Sequence, residues 1–207
     1  MKHKNGHLLV GYWERLCGEG RIPQQSEIDP RAIKRILSHV FIVDGADAAH
    51  PRYRLAGTSL CERFGFELKG TEFLSGWEGQ SAAAVAAALA ESLKQREPVC
   101  ISSIGATVDC GMAELETVLV PVSVGGAVTR FVGVSEVLGD TLPLGGRPIV
   151  YQRLISARPV REGEPEEVPA TDAVMRPRLR LVVSQNRPIP NAAGTTHGSL
   201  GLRLVSE

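Results

Sequence analysis

The first half of the chain contains apolar residues at helical spacing, and glycine or polar residues mark the ends of each pattern. Residues 10–17 place apolar side chains on one helical face, and Gly18 stands where helices commonly end on glycine. Asp29 can cap a short helix over residues 30–38, because its side chain accepts hydrogen bonds from backbone N–H groups. The longest predicted helix is the alanine-rich stretch Ser81 to Arg96.

Five stretches rich in β-branched and other apolar residues predict β-strands. They are His39–Asp44, Arg52–Ala56, Val99–Val108, Ala113–Val124 and Ala127–Leu138. A loop of a length that fits an antiparallel hairpin separates the first two. Short turns join the last three, so we expect an antiparallel meander there.

The turn between the last two predicted strands sets their register. If Gly125 and Gly126 form a two-residue turn, Val120 lies opposite Phe131. Pro121 has no backbone N–H to donate, so we expect a bulge or a position without a hydrogen bond there.

The stretch Tyr53 to Gly70 predicts one wall of a pocket. It passes from a strand into a short helix and ends in a glycine turn, so the chain reverses within a few residues. This reversal leaves Cys61, Phe64 and Phe66 facing whatever packs above them. The glycines have turn spacing rather than the spacing of a phosphate-binding loop.

Aromatic residues are concentrated next to this wall. The chain has ten of them, and four fall within the 14-residue window Phe64–Trp77. Aromatic side chains commonly line small-molecule cavities, and the alternative is an ordinary packed core. The candidate ligand-binding residues have apolar or thiol side chains; they are Leu55, Cys61, Phe64, Phe66, Phe73, Trp77 and Phe131.

The four cysteines do not form a metal or disulfide pattern. Cys17, Cys61, Cys100 and Cys110 are far apart, with no C-x-x-C pair and no histidine at ligand spacing. We therefore predict no metal site and reduced thiols. Cys61 lies near a predicted helix start, where a thiol can be reactive, and the alternative is a buried small apolar side chain. We predict no catalytic residue.

Charge and hydropathy exclude several classes of protein. The chain of 207 residues carries 23 basic and 23 acidic side chains, so no overall charge favours nucleic acid or an anionic membrane. It has no apolar run of membrane-spanning length, and its N-terminus lacks the apolar segment of a secretory signal. We expect a cytoplasmic protein with no nucleic-acid partner and no membrane span.

The sequence predicts a contact surface at the N-terminal end of the chain and flexibility at the C-terminal end. In the N-terminal helix, we expect Tyr12, Trp13 and Leu16 to form an exposed dimer or partner surface, because a short amphipathic helix rarely persists alone. At the other end, the sequence is rich in loop-forming residues from 141 onward. We expect flexibility from about residue 157, with one short strand at Leu179 to Val183.

Several short motifs occur in a fixed order across about residues 10–140. They are IPQQSEIDP followed by HVFIVD, then YRLAGTSLCERFGFELKG, and later ELETVLVPV with GVSEVL. These motifs and the order of predicted elements resemble the PAS_5 family, single-PAS proteins of alphaproteobacteria. The resemblance implies an α+β fold in which a five-stranded antiparallel sheet has helices packed across one face.

The resemblance also implies a function, because PAS domains bind small molecules between sheet and helices, or dimerise, and pass a signal to a partner. We expect a non-catalytic sensory module that forms a homodimer and regulates a kinase or other signalling protein. The alternative is a small cofactor-binding protein or enzyme that uses the pocket around Cys61. On this interpretation, residues 1–38 are an N-terminal helical segment, 39–140 the sensory domain and 141–207 a flexible tail.

The sequence names no cofactor. It lacks the Asn-Cys-Arg-Phe-Leu-Gln run of flavin photosensors, since Cys61 lies in Leu-Cys-Glu-Arg-Phe. The predicted long helix contains no histidine, whereas haem-binding PAS proteins carry their haem ligand there. The resemblance therefore argues against haem and covalent flavin, and it leaves the ligand open.

Overall fold

The computed structural model describes residues 1–18, 21–47 and 49–160. The helices in these ranges are α1 (Lys4–Cys17), α2 (Thr58–Phe64) and α3 (Gly79–Gln95). The strands are β1 (Val40–Asp44), β2 (Arg52–Ala56), β3 (Val99–Ala106), β4 (Met112–Val124), β5 (Ala127–Leu138) and β6 (Tyr151–Pro159). Short 3-10 turns occupy Gln25–Glu27, Leu37–His39 and Leu142–Leu144.

The strands form one antiparallel sheet in the order β2-β1-β5-β4-β3-β6. The predicted α+β fold with an antiparallel sheet and packed helices is confirmed, but the predicted count of five strands is wrong. The additional strand, β6, lies in a segment predicted to be loop and pairs with β3 along its length. Gln152 is the one buried residue of β6, and Leu154 and Ala157 are only partly buried, so no regular apolar alternation marks the strand in the sequence.

Two helical predictions differ from the structure. Helix α1 begins at Lys4, nearly two turns before the predicted start at Val10. The helix predicted over residues 30–38 is instead a series of turns that ends in a 3-10 turn. Its buried isoleucines, Ile33 and Ile36, are three residues apart, and this spacing suits 3-10 geometry.

The register of β4 and β5 differs from the prediction over most of its length. Val120 pairs with Val132 rather than with Phe131. The pairing shifts by one residue between Val122 and Ser123, close to the proline at which we predict a bulge. Because side chains alternate along a strand, this shift places Val132 on the same face as Val120 and leaves Phe131 on the other face.

Helices cover both faces of the sheet: two pack across one face, as predicted, and the N-terminal helix covers the other. Helix α1 packs on the face that carries Val118, Val120 and Val134, and we call this the α1 core. Helices α2 and α3 pack on the opposite face, with Leu119 and Phe131, and we call this the α2/α3 core. Successive residues of β4 point to opposite faces of the sheet, and most of those on either face are buried. Other elements must therefore pack against both faces.

The aromatic residues of α1 face the sheet. Tyr12 and Trp13 are each 7% exposed, and Leu16 is half-buried. The Nε1–H of Trp13 donates to the carbonyl of Pro121 (2.7 Å), and the Tyr12 hydroxyl accepts from the N–H of Asp29 (2.8 Å). The expectation that Tyr12 and Trp13 are exposed is therefore wrong, because the apolar sheet face beneath α1 takes up its aromatic side. A dimer contact through α1 stays a prediction.

Both edge strands of the sheet are hydrogen-bonded on their outer side by the segment between α2 and α3. At β2, the N–H of Tyr53 donates to the carbonyl of Thr71 (3.0 Å). At β6, the N–H of Gln152 donates to the carbonyl of Gly76 (2.7 Å), and its carbonyl accepts from the N–H of Glu78 (2.9 Å). Covered edges are poor sites for the addition of another strand.

Within the described ranges, no helix is long and apolar enough to cross a membrane. The strand predicted at Leu179 to Val183, and the part of the predicted flexible tail beyond residue 160, lie outside the described residues.

Candidate ligand site between the sheet and helices α2 and α3

Four aromatic rings occupy the centre of the α2/α3 core. Phe41 packs edge-on against Tyr53, with 5.7 Å between ring centroids, and stacks on Phe73 at 5.9 Å. Phe73 also contacts Tyr53 (5.3 Å) and Trp77 (6.4 Å). These separations are typical of packed aromatic pairs. We call Phe41, Tyr53, Phe73 and Trp77 the aromatic cluster.

The structure brings together five of the seven residues predicted to bind a ligand. Phe73, Trp77 and Phe131 are buried in the α2/α3 core. Cys61 and Phe64, on α2, lie half-buried at its margin. Helix α2 therefore forms one side of the α2/α3 core, and its role as the wall of a ligand pocket stays a prediction.

The other two predicted residues, Leu55 and Phe66, point to solvent and are 46% and 51% exposed. The pairing of β1 with β2 skips Arg54, and this bulge turns Leu55 away from the side on which Tyr53 lies. Phe66 follows Gly65, whose left-handed backbone (φ 79°) ends α2 and turns the chain outward.

Phe41 and Tyr53 belong to the cluster, although the sequence prediction of site residues missed both. Phe41 lies directly on the backbone of Gly133, where any side-chain carbon would overlap its ring. Phe41 and Val43 alternate along β1 and are fully buried. This alternation is a usable signal, because it marks the inward face of the strand.

Polar atoms without partners lie within this apolar region. Trp77 Nε1 and Ser103 Oγ are buried and have no hydrogen-bond partner among the described residues. Ser103 alternates with Ile101 along β3, so its side chain points into the α2/α3 core. Burial raises the pKa of the Tyr53 hydroxyl, and the nearby Cys61 thiol adds to the shift. The core therefore contains neutral groups that can donate hydrogen bonds.

Two surface clefts lie apart from the aromatic cluster. One of about 390 Å³ lies between the C-terminal half of α3 and the end of β6, where Glu91, Gln95 and Arg158 line it. Another of about 450 Å³ lies beside the turn between β3 and β4, where Cys110 and Arg147 line it. The rings of the cluster line neither cleft.

The cysteines differ in burial. Burial raises the pKa of Cys100 to about 12 and that of Cys17 to about 11. The Sγ of Cys61 lies 3.7 Å from Oε1 of Glu67, and Cys110 is exposed. Among the described residues, no group of histidine, cysteine or acidic side chains is arranged to hold a metal ion.

Two buried carboxylates lie on the other face, beneath the start of α1. Glu116 and Glu136 face each other across β4 and β5 and are 2% and 5% exposed. Glu116 accepts from the backbone N–H groups of Lys2 (2.6 Å) and His3 (2.9 Å). Burying a carboxylate requires such hydrogen bonds, so the N-terminal residues are part of this site.

Glu136 contacts side chains from three other elements. Its Oε1 accepts from Nδ2 of Asn5 on α1 (2.5 Å), and its Oε2 lies 3.1 Å from Nδ1 of His39. Oε2 also lies 3.8 Å from Nη2 of Arg63 on α2. Burial lowers the pKa of Arg63, and Glu136 opposes that shift. The carboxylate thus links α1 to α2, although these helices cover opposite faces.

A protein-family model described as a PAS domain, PAS_5, matches residues 1–136 of the chain. The chain belongs to the PAS_5 family. The match confirms the resemblance seen in the motifs. It includes α1, so the helix that covers the second face lies within the matched part of this PAS domain.

Solved structures similar to this PAS domain include a light-oxygen-voltage domain studied with a flavin analogue. It is 12% identical, with 56% of this chain and 87% of that chain covered and a TM-score of 0.43. A light-oxygen-voltage protein from Rhodobacter sphaeroides is 17% identical, with 55% and 70% covered and a TM-score of 0.41. VqmA from Vibrio cholera, in complex with ligand and DNA, is 15% identical, with 56% and 54% covered and a TM-score of 0.39. No curated protein matches the chain.

Proposed function

We propose that this PAS domain is a non-catalytic sensory module that binds a small molecule in its α2/α3 core and passes a signal to a partner protein. The proposal includes a cytoplasmic homodimer, with a kinase or another regulator as the output. Membership of the PAS_5 family supports the sensory role. The chemistry of the α2/α3 core supports the ligand.

The observation that carries the ligand proposal is the pair of unpartnered polar atoms, Trp77 Nε1 and Ser103 Oγ. A buried polar group without a hydrogen bond costs about 1–3 kcal/mol, so two such groups in one core are unfavourable unless a ligand pairs with them. Both can donate: the indole lies beside the Phe73 ring, and Ser103 lies between Leu115 and Leu154 in the sheet. These features suit a small, flat, largely apolar molecule that carries a carbonyl or another acceptor.

Native mass spectrometry of the full chain, purified without added ligand, tests this proposal. We expect a retained small molecule, and a higher Tm when that molecule is returned to protein freed of it. Ser103→Ala should weaken its binding about two- to tenfold, because one hydrogen bond contributes about 0.5–1.5 kcal/mol.

The matched control is Ser102→Ala. Ser102 precedes Ser103 in β3, and its side chain points to the opposite face, so binding should not change. A protein that retains no molecule, and whose Tm stays constant across a broad metabolite screen, contradicts the ligand proposal and leaves partner binding alone.

A further inference from the structure

Helix α1 covers only part of its face of the sheet. It packs over the middle of β4 and β5, and the residues before it lie at Glu116. Towards the turn between β3 and β4, the same face continues with no covering helix among the residues that the structure describes. We call this region the open face; its residues are Ile104, Ala106, Met112, Glu114, Tyr151 and Arg153.

The open face exposes large apolar side chains. Met112 and Tyr151 flank Ala106 in one cross-strand row and are 58% and 64% exposed. Val108 and Ile155, at the borders of the open face, are also exposed. Contiguous exposed apolar residues on a folded domain commonly mark interaction sites.

The next row of the open face carries one charge of each sign. Glu114 on β4 and Arg153 on β6 flank Ile104. Glu114 contacts Nζ of Lys2 (2.9 Å), and Arg153 is exposed. An apolar strip with an acid on one side and a base on the other is complementary to itself after a two-fold rotation.

The covered sheet edges favour contact through a face over the addition of a strand. The outer side of β6 is hydrogen-bonded at Gln152 to Gly76 and Glu78. The pairing of β6 with β3 also skips Ile155, and this bulge interrupts the strand. A second copy of the chain is therefore expected to contact the apolar and charged side chains of the open face rather than to add a strand along β6.

We propose that the open face is the interface through which two copies of this chain form a homodimer. The two-fold axis lies between the facing sheets and runs along β3, so that Glu114 of each copy faces Arg153 of the other. The same rotation places Met112 against Tyr151, which is a favourable sulfur–aromatic pair. This inference rests on the homodimer in the proposed function and adds its surface, which lies on the opposite face from the ligand core.

Charge-swap variants of the full chain test the interface. In a homodimer, Glu114→Arg and Arg153→Glu each bring like charges together, and we expect the Kd of dimerisation to rise at least tenfold. In an equal mixture of the two variants, a heterodimer places opposite charges at both contacts, so dimerisation should return. Sedimentation over a concentration series measures each Kd, and native mass spectrometry identifies the heterodimer.

Lys94→Glu, on α3, is the matched control for Arg153→Glu. It makes the same change of charge on the other face and should leave the Kd unchanged. Ligand retention is measured on the same samples, so a failure of the interface and a failure of the ligand site give different results. A wild-type chain that stays monomeric, single variants that dimerise like the wild type, or a mixture without heterodimer would overturn the proposal.

Discussion

Asp44, at the end of β1, is held by two arginines. Its Oδ2 accepts from Nη2 of Arg54 (2.8 Å) and lies 3.5 Å from Nε of Arg130, and its Oδ1 accepts from the N–H of Ala46 (3.2 Å). Burial raises the pKa of Asp44, but the hydrogen bonds and the cations outweigh it and hold the pKa below its usual value. Such a carboxylate stabilises the fold above its ordinary pKa, and this contribution is lost as the pH falls through the folded pKa.

Asp44→Asn should lower the free energy of unfolding at pH 7 by about 1–2 kcal/mol, because hydrogen bonds to a charged group are lost. The difference from the wild type should shrink as the pH falls below about 4, where the carboxylate takes up a proton in the unfolded chain before it does so in the folded one. Urea unfolding at a series of pH values measures this difference in the free energy of unfolding. Asp47→Asn is the control. The Asp47 carboxylate, like that of Asp44, accepts from the backbone N–H two residues further on, in this case that of Ala49 (3.0 Å). A difference that is independent of pH contradicts this role for Asp44.

At the scale of single residues, the sequence placed the buried residues of the candidate ligand site better than those at its margin. Phe73 and Trp77 follow from the clustering of aromatic residues. The position of Leu55 depends on the bulge at Arg54, and one extra residue reverses the facing of the side chains beyond it. The apolar pattern does not reveal this bulge, because Tyr53 and Leu55 alternate as they would in a regular strand.

At the scale of elements, α1 is attached to the sheet by buried carboxylates as well as by apolar packing. Glu136 has Asn5 of α1 on one side and Arg63 of α2 on the other. Arg63 also donates to the carbonyl of Ser135 (2.8 Å), which anchors α2 to β5. Because α2 lies at the margin of the α2/α3 core, a movement of α2 would move Arg63 relative to the same carboxylate that contacts α1.

Glu136→Gln should loosen α1 more than the rest of the fold. The amide replaces a charged acceptor that three side chains share, so we expect the amide protons of α1 to exchange with solvent about tenfold faster or more. Hydrogen–deuterium exchange read by mass spectrometry measures this, with α3 as the internal reference. Glu114→Gln, which removes an exposed ion pair with Lys2, is the control and should change α1 little. Equal acceleration in α1 and α3 would show that Glu136 stabilises the fold as a whole.

The position of a strand in the sheet explains why the sequence predicted the central strands and missed the edge strand β6. The central strands β4 and β5 are buried on both faces along most of their length, so their apolar runs identify them. In the edge strand β6, the one buried residue is the polar Gln152, and Leu154 and Ala157 are only partly buried, so the sequence shows no regular apolar alternation there. The helix over residues 30–38 was predicted from its Asp-Pro start, although a start signal does not specify whether a full helix follows.

At the scale of the whole molecule, two cores share one sheet. β4 and β5 supply residues to both the α1 core and the α2/α3 core. The two tryptophans of the chain are divided between them, with Trp13 in the α1 core and Trp77 in the α2/α3 core. Each core therefore has its own fluorescent reporter.

Trp77→Phe leaves Trp13 as the single reporter, and Trp13→Phe leaves Trp77. Because the shared strands couple the cores, we expect the fluorescence of each variant to change at the same denaturant concentration as its circular dichroism. Comparing two signals within one variant removes the effect of the substitution on overall stability. A Trp13 signal that changes before the circular dichroism would show that the α1 core unfolds separately.

The segment between α2 and α3 pairs with both edge strands, at Glu72 beside β2 and at Trp77 beside β6. If the six-stranded sheet were flat, these two positions would be about 34 Å apart, since neighbouring strands are about 4.8 Å apart. A chain that advances five residues spans at most about 18 Å. The sheet must therefore curl until both edges come within reach of one short length of backbone. The short length of backbone between Glu72 and Trp77, and not packing alone, therefore limits how far the α2/α3 core could expand to admit a ligand.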